Sequence, residues 1–249
     1  MNKIFGPIFR LEKRFNSETL LKKIIKLTLR FLSITLFLFT HTLPAQTWIP
    51  SDYNRFTPEQ FFELAAVNQT INYKKIDRGL LQAAMFYATN EERIKYGLPP
   101  FEHSDQIEKV ASDHANDMVN YNFYSHVSRV KGKKTIGDRF ANEGIKRMLI
   151  GENISSSIGL QYQTGRKINI PHSGGMYTYA NDRREVILPH TYLSYAREVV
   201  QLWMGSPPHR KSILNPHFEQ LGCGSQVYNN RESQNIPYLM GVQCFGSKE

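Results

Sequence analysis

Two histidines and one glutamate carry the chemistry of this chain, because each sits beside a turn or a helix end. They are His126 in Ser125-His126, Glu152 in Gly151-Glu152-Asn153-Ile154, and His209 in Trp203-Met204-Gly205-Ser206-Pro207-Pro208-His209-Arg210. Imidazole is the commonest metal ligand and exchanges its proton near neutral pH. Two imidazoles, a carboxylate and a water suit zinc's tetrahedral preference. His126, Glu152 and His209 are therefore candidate ligands for Zn2+ or another divalent cation, weakly bound. The same residues allow a hydrolytic reading, with His209 as base or ligand and Glu152 as its orienter. No Ser-His-Asp signature, Gly-rich phosphate loop, zinc-protease helix motif or paired-cysteine metal motif accompanies them. No catalytic residue is assigned.

Plainer readings stand beside these. His126 alone is a surface or capping histidine, Glu152 a strand-end carboxylate holding a loop, and His209 a packing residue at a helix start. His114 falls on an apolar stripe between Ala111 and Met118 and reads as buried and hydrogen-bonded. His172 and His190 lie in an irregular stretch and could cover a cleft.

The elements that must position these residues are visible in the pattern. Thr57-Pro58 starts a short helix, with Thr57 as cap and Pro58 at the first helical position. Leu80, Leu81, Ala84, Met85 and Ala88 recur at helical spacing until Gly97-Leu98-Pro99-Pro100. A second helix starts at Ser104-Asp105, where Asp105 and Glu108 have capping-box spacing. Its stripe is Ile107, Val110, Ala111, Ala115, Met118 and Val119, and it leads directly to His126. A basic loop from Arg129 to Lys134 follows and reads as solvated. Tyr192 to Met204 is a further helix, broken by Ser206-Pro207-Pro208, and His209 to Leu214 begins another. Two strand-like runs, Leu221 to Tyr228 and Pro237 to Phe245, close the chain around a turn-rich segment.

In this order the motifs resemble the CAP superfamily of cysteine-rich secretory, antigen 5 and pathogenesis-related proteins, in its bacterial branch, also called the SCP domain. The phrases Asn90-Glu91-Glu92-Arg93, Tyr96-Gly97-Leu98-Pro99-Pro100-Phe101 and Ile107 to Met118, followed by Ser125-His126, carry the likeness. The resemblance covers about residues 79–249, with 155–190 unmatched and read as an insertion. It implies an α+β fold, a three-layer α-β-α sandwich with a small antiparallel sheet and a cleft across one face. It also implies that His126, Glu152 and His209 line that cleft. In eukaryotic members a second glutamate lies three residues after the tryptophan. Here that position is Ser206, so one carboxylate is missing and the expected cation site is weaker. Glu198, five residues before Trp203, is a tempting replacement but reads as a structural or rim residue.

Charge and cysteines bound the rest. The chain has 249 residues and a formal charge of +9. Most of the excess lies in residues 1–45; the remainder carries +3, which removes the support for a nucleic-acid partner. In that first segment Lys22, Lys23, Lys26 and Arg30 precede an apolar run from Phe31 to Phe39, with a cut expected after Ala45. The run is short for a membrane span, and the order fits an export signal. An uncleaved anchor is the alternative. Residues 46–76 read as an extension, and the main domain as 77–249. Export permits disulfides. Cys223 and Cys244 are symmetric about the turn between the last two strands, which predicts a bridge; two buried free thiols are the alternative.

Three functions are consistent with this reading. The first is a secreted or cell-envelope binding module whose cleft at His126, Glu152, His209 and Ser206 holds a cation and a small-molecule, lipid or envelope ligand. The second is a hydrolase of peptide, ester or wall polymer. The third is a structural or interaction protein of the envelope.

Overall fold

Helices begin in this chain where a short polar side chain takes up a free backbone N–H of the first turn. Thr57 accepts from Gln60 N–H (3.3 Å) before α1, Pro58–Phe62. Asp77 accepts from Leu80 N–H (3.0 Å) before α2, Arg78–Lys95. Ser104, Thr135 and Thr191 do the same before α3, Asp105–Asn120, α4, Ile136–Asn142, and α5, Tyr192–Gly205. Pro207 and Pro208 open α6, Pro207–Ile213, where a missing N–H does no harm. The computed structural model describes residues 48–146, 149–171, 175–230 and 236–248. The expected export signal and His172 lie outside them.

Four strands form the central sheet: β1, Glu102–His103; β2, Ile150–Ile158; β5, Gln220–Asn230; and β6, Ile236–Gly246. Their order is β1-β5-β6-β2, so β2 is an edge strand. β2, β6 and β5 are antiparallel, as expected; the short β1 is parallel to β5, which makes the sheet mixed. Pleating sends alternate residues to opposite faces. Ile154, Met240, Val242 and Cys244 join Ile107, Val110, Met118 and Phe140 in one core, under α3 and α4. Leu221, Cys223, Leu239 and Phe245 join Leu81, Met85, Val199, Trp203 and Ile213 in the other, under α2, α5 and α6. The result is the three-layer α-β-α sandwich. Helix α3 lies directly on β5: a Cβ at Gly222 would fall 2.0 Å from Glu108 N, and one at Gly224 2.2 Å from the Ala111 carbonyl carbon.

The register overturns the expected disulfide. Cys223 pairs with Gln243, and Cys244 with Gly222. The hairpin is therefore one residue off the symmetric alignment, and one residue is enough to put a side chain on the other face. Both thiols are free and buried, one in each core.

Two segments extend the sandwich. Residues 48–76 lie against α2: the Trp48 ring meets Tyr53, Phe61 and Tyr87 edge to face at 5.1–6.2 Å. Ser155 to Ile158, read as the start of an insertion, instead complete β2. Beyond them the chain makes a two-stranded ribbon, β3, Ile168–Asn169, with β4, Thr178–Tyr179. A small core of Leu160, Tyr179, Ile187 and Ile236 holds it. Among the described residues no helix is long and apolar enough to cross a membrane.

Candidate functional site

The site is built around two consecutive residues of edge strand β2. Glu152 points to the α3–α4 side and Asn153 to the α5–α6 side, by the alternation of the strand. Glu152 Oε1 is 2.8 Å from His126 Nδ1. Asn153 Nδ2 donates to the backbone carbonyl of His209 at 3.1 Å. One dipeptide thus holds a histidine from each outer layer. Gly151 before it has no room for a Cβ, which would meet the Phe218 ring at 2.7 Å.

Glu152 is clamped. Its second oxygen accepts from Arg139 Nη2 at 2.6 Å, and the carboxylate side chain is 4 % exposed. Arg139, from the last turn of α4, also donates through Nη1 to the carbonyls of His126 (3.2 Å) and Lys133 (3.3 Å). Burial pushes the Glu152 carboxyl up, but the His126 hydrogen bond, the Arg139 charge and nearby His114 outweigh it, so its pKa lies below the ordinary value. The carboxylate is charged at neutral pH and fixed in direction.

His126 is the exposed member: its side chain is 54 % exposed. With Nδ1 on Glu152, its Nε2 is left for a ligand, a proton or a metal. His209 is half-buried on α6. Burial lowers its pKa, and so does the charge of His126, which places the two imidazoles within electrostatic reach of each other.

A buried polar chain supports the His209 side. Asn153 Nδ2 also donates to Gln243 Oε1 (3.0 Å), and Gln243 Nε2 donates to Thr89 Oγ1 of α2 (2.6 Å). Next along β2, the Ile154 carbonyl accepts from Trp203 Nε1 (3.1 Å) and from the Tyr124 hydroxyl (3.2 Å). Tyr124 and Val127, each more than half exposed, flank His126 in the chain, and Leu202 is as exposed one turn before Ser206.

Ser206 forms the joint between α5 and α6, and its hydroxyl makes no cap bond. Glu198 is not brought to His126 and His209. Its Oε2 lies 3.4 Å from Nε2 of buried His190, without hydrogen-bond geometry. Burial pushes the Glu198 carboxyl up and the His190 imidazole down to about 4, so burial, not ion pairing, governs that contact. His114 is fully buried, as expected, with Nε2 3.1 Å from the Ser125 carbonyl. Burial lowers its pKa.

Both Glu152 oxygens are already engaged, and among the described residues no group of three or more His, Cys, Asp or Glu side chains could hold a metal ion. The arrangement fits a carboxylate-backed imidazole beside a second imidazole better than three direct ligands. Sequence reasoning had no signal for Arg139 as the clamp, because nothing in its spacing announces that it is buried.

Comparison with known proteins shows the family. A model of the CAP, cysteine-rich secretory protein family, matches residues 86–245, and the chain belongs to that family. It is 30 % identical over 136 residues to the Bacillus subtilis protein described as uncharacterized protein YkwD, covering 55 % of this chain and 38 % of that one. It is 27 % identical, also over 136 residues, to the uncharacterized membrane protein YlbC of the same organism, covering 55 % of this chain and 29 % of that one. The chain thus spans well under half the length of these relatives. Among solved structures it is similar to an extracellular protein containing an SCP domain from Bacillus anthracis. That match has 25 % identity and TM-score 0.47, over 70 % of this chain and 42 % of the other.

Proposed function

We propose that this chain is a secreted or cell-envelope binding module whose ligand cleft lies at the edge of β2, between His126 and His209. The observation that carries the reading is the pairing of Glu152 with His126 Nδ1 at 2.8 Å, with Arg139 fixing the carboxylate from behind. A carboxylate behind an imidazole sets its tautomer and aims the other nitrogen outward. His126 Nε2 and the His209 ring are the donors that would hold a divalent cation such as zinc, with Glu152 as orienter and not as ligand. Two imidazoles leave coordination positions for a ligand, and Tyr124, Val127 and Leu202 give that ligand an apolar border. Export is supported by the basic-then-apolar order of residues 22–39.

The test is thermal unfolding of the full chain with and without zinc, beside His126→Ala/His209→Ala. A ligand that binds only the folded state stabilises it by about 2.7 kcal/mol at a hundredfold excess over its dissociation constant. A zinc-dependent rise that vanishes in the double variant supports the reading. An equal rise in both proteins, or none in either, sinks the cation site.

One observation favours a second reading, a hydrolase. A histidine fixed by a buried carboxylate with its far nitrogen free is the arrangement of a general base. In that case His126 is the base acting on a bound water, since Ser206 makes no hydrogen bond to either histidine. Hydrolysis of a peptide or ester that persists undiminished in His126→Ala rules this out.

A further inference from the structure

A second cavity opens at the opposite end of the sheet. It encloses about 590 Å3, inside the range of roughly 300–1,000 Å3 for small-molecule sites. Its border includes Pro237 at the start of β6, whereas Glu152 pairs with Cys244 near that strand's other end. At about 3.3 Å per residue the two sites are separated by about 23 Å along β6. Three pieces of chain converge on it: Asn72, Tyr73 and Lys74 from the segment before α2, Tyr177 from the ribbon, and Asn229 with Pro237 from the strands. Asn72 to Lys74 lie outside the residues that match the family.

The walls are fixed. Ile71 N–H donates to the His190 carbonyl at 2.8 Å, and Thr70 bridges Thr191. The Tyr73 hydroxyl donates to the Gly159 carbonyl, and its ring sits so close to Gly159 that a Cβ there would meet it at 2.8 Å. The lining is rich in unused donors. Asn72 Oδ1 accepts from Lys74 N–H (3.0 Å), and among the described residues its amide nitrogen has no partner. Among the described residues, the Lys74 ammonium makes no ion pair, and the Tyr177 hydroxyl and Asn229 amide have no hydrogen-bond partner. Among the described residues, no aspartate or glutamate lines the cavity.

Two aromatic rings, two free amides, one hydroxyl and one unpaired cation call for a ligand with apolar ring faces, many acceptor oxygens and a negative charge. A lipid tail would strand the donors without acceptors. A saccharide meets each condition: its ring stacks on tyrosine, its hydroxyls satisfy the amides, and a carboxylate meets Lys74. We propose that this cavity binds an acidic saccharide, independently of the cleft at His126 and His209.

The experiment is calorimetric titration of the full chain with trigalacturonic acid and, separately, with the neutral galactose trisaccharide. The acidic probe is expected to bind more tightly. Tyr177→Ala should weaken it about tenfold by removing one stacked ring. Lys74→Gln should erase the preference for the acidic probe, and His126→Ala should leave the titration unchanged. Circular dichroism confirms that the variants are folded. The proposal is overturned if neither probe binds at millimolar concentration, if the neutral probe binds equally well, or if both cavity variants bind like the parent.

Discussion

Removing one carboxylate oxygen at position 152 separates orientation from mere packing. Glu152→Gln leaves the Arg139 guanidinium, 3 % exposed, without its counter-charge. Breaking a buried pair from one side costs about 3–5 kcal/mol, and denaturant unfolding reads it directly. The pH dependence has a definite sign. The Glu152 pKa is depressed in the folded chain, so its contribution is present above the ordinary carboxyl value of 4.5 and is lost as pH falls through the folded value. The parent should therefore lose stability below about pH 4.5 more steeply than Glu152→Gln. At Cys223 and Cys244 the expectation is chemical: no thiol reacts in the folded chain, and both react after unfolding without reductant. A single reactive thiol, or none, in the unfolded chain contradicts the register described above. The three residues of the site are legible in the sequence because each stands beside a glycine, a proline pair or a helix end. Arg139 is not legible, since its role depends on burial, and Asn153 acts on a carbonyl 56 positions away. The cysteines mislead because symmetry about a turn does not fix a register to one residue.

At the scale of elements, close approach decides more than composition. Helix α3 can sit on β5 only because positions 222 and 224 have no Cβ. Gly222→Ala sets a carbon against backbone that cannot rotate away, so it should cost at least the 1–3 kcal/mol typical of overpacking. Gly205→Ala, with open space around it, should be tolerated by comparison; equal denaturant midpoints for the two would refute this account. The start of α5 carries its own pH signature. His190, 2 % exposed, is held down to about 4, against an ordinary 6.5. The unfolded chain then binds a proton that the folded chain refuses, so stability falls as pH drops from 6.5 toward 4. Glu198 is the charged group facing it. In His190→Gln the fall in melting temperature between pH 7 and pH 5 should be smaller than in the parent. Helix starts are partly readable in the sequence: Thr57 is the cap expected of it, whereas the second long helix is capped by Ser104, one residue before the Asp105 of the expected capping box. Glu108, by contrast, looks like half of a capping box but turns to the buried side chains of Tyr53 (2.6 Å) and His103 (2.8 Å). No helix periodicity reveals that.

Across the whole molecule, the segment before the first long helix belongs to the core in energetic terms. Phe61 is fully buried and stacks on Tyr87 at 4.2 Å. Phe61→Ala should cost about 3–5 kcal/mol, a large share of a domain's usual 5–15 kcal/mol. A chain started at Asp77 would also lose Trp48, Val67 and Ile71, and it should show no cooperative thermal transition by circular dichroism. The layered architecture is legible in the sequence because helical and strand periods are clear and the family motifs fix their order. The packing of residues 48–76 is not, since a short apolar helix looks the same whether it is docked or dangling. Both histidines are indexed to the Glu152–Asn153 pair, so chain hung between those anchors can lengthen without disturbing them. Doubling a flexible loop costs only about 0.6 kcal/mol, and the ribbon after β2 is chain of that kind, closed at its base by the bridge between Leu160 and Pro189. A lineage could therefore acquire new surface on that side at little expense to the histidine pair, and exchange of the ribbon between relatives is a natural route to altered specificity.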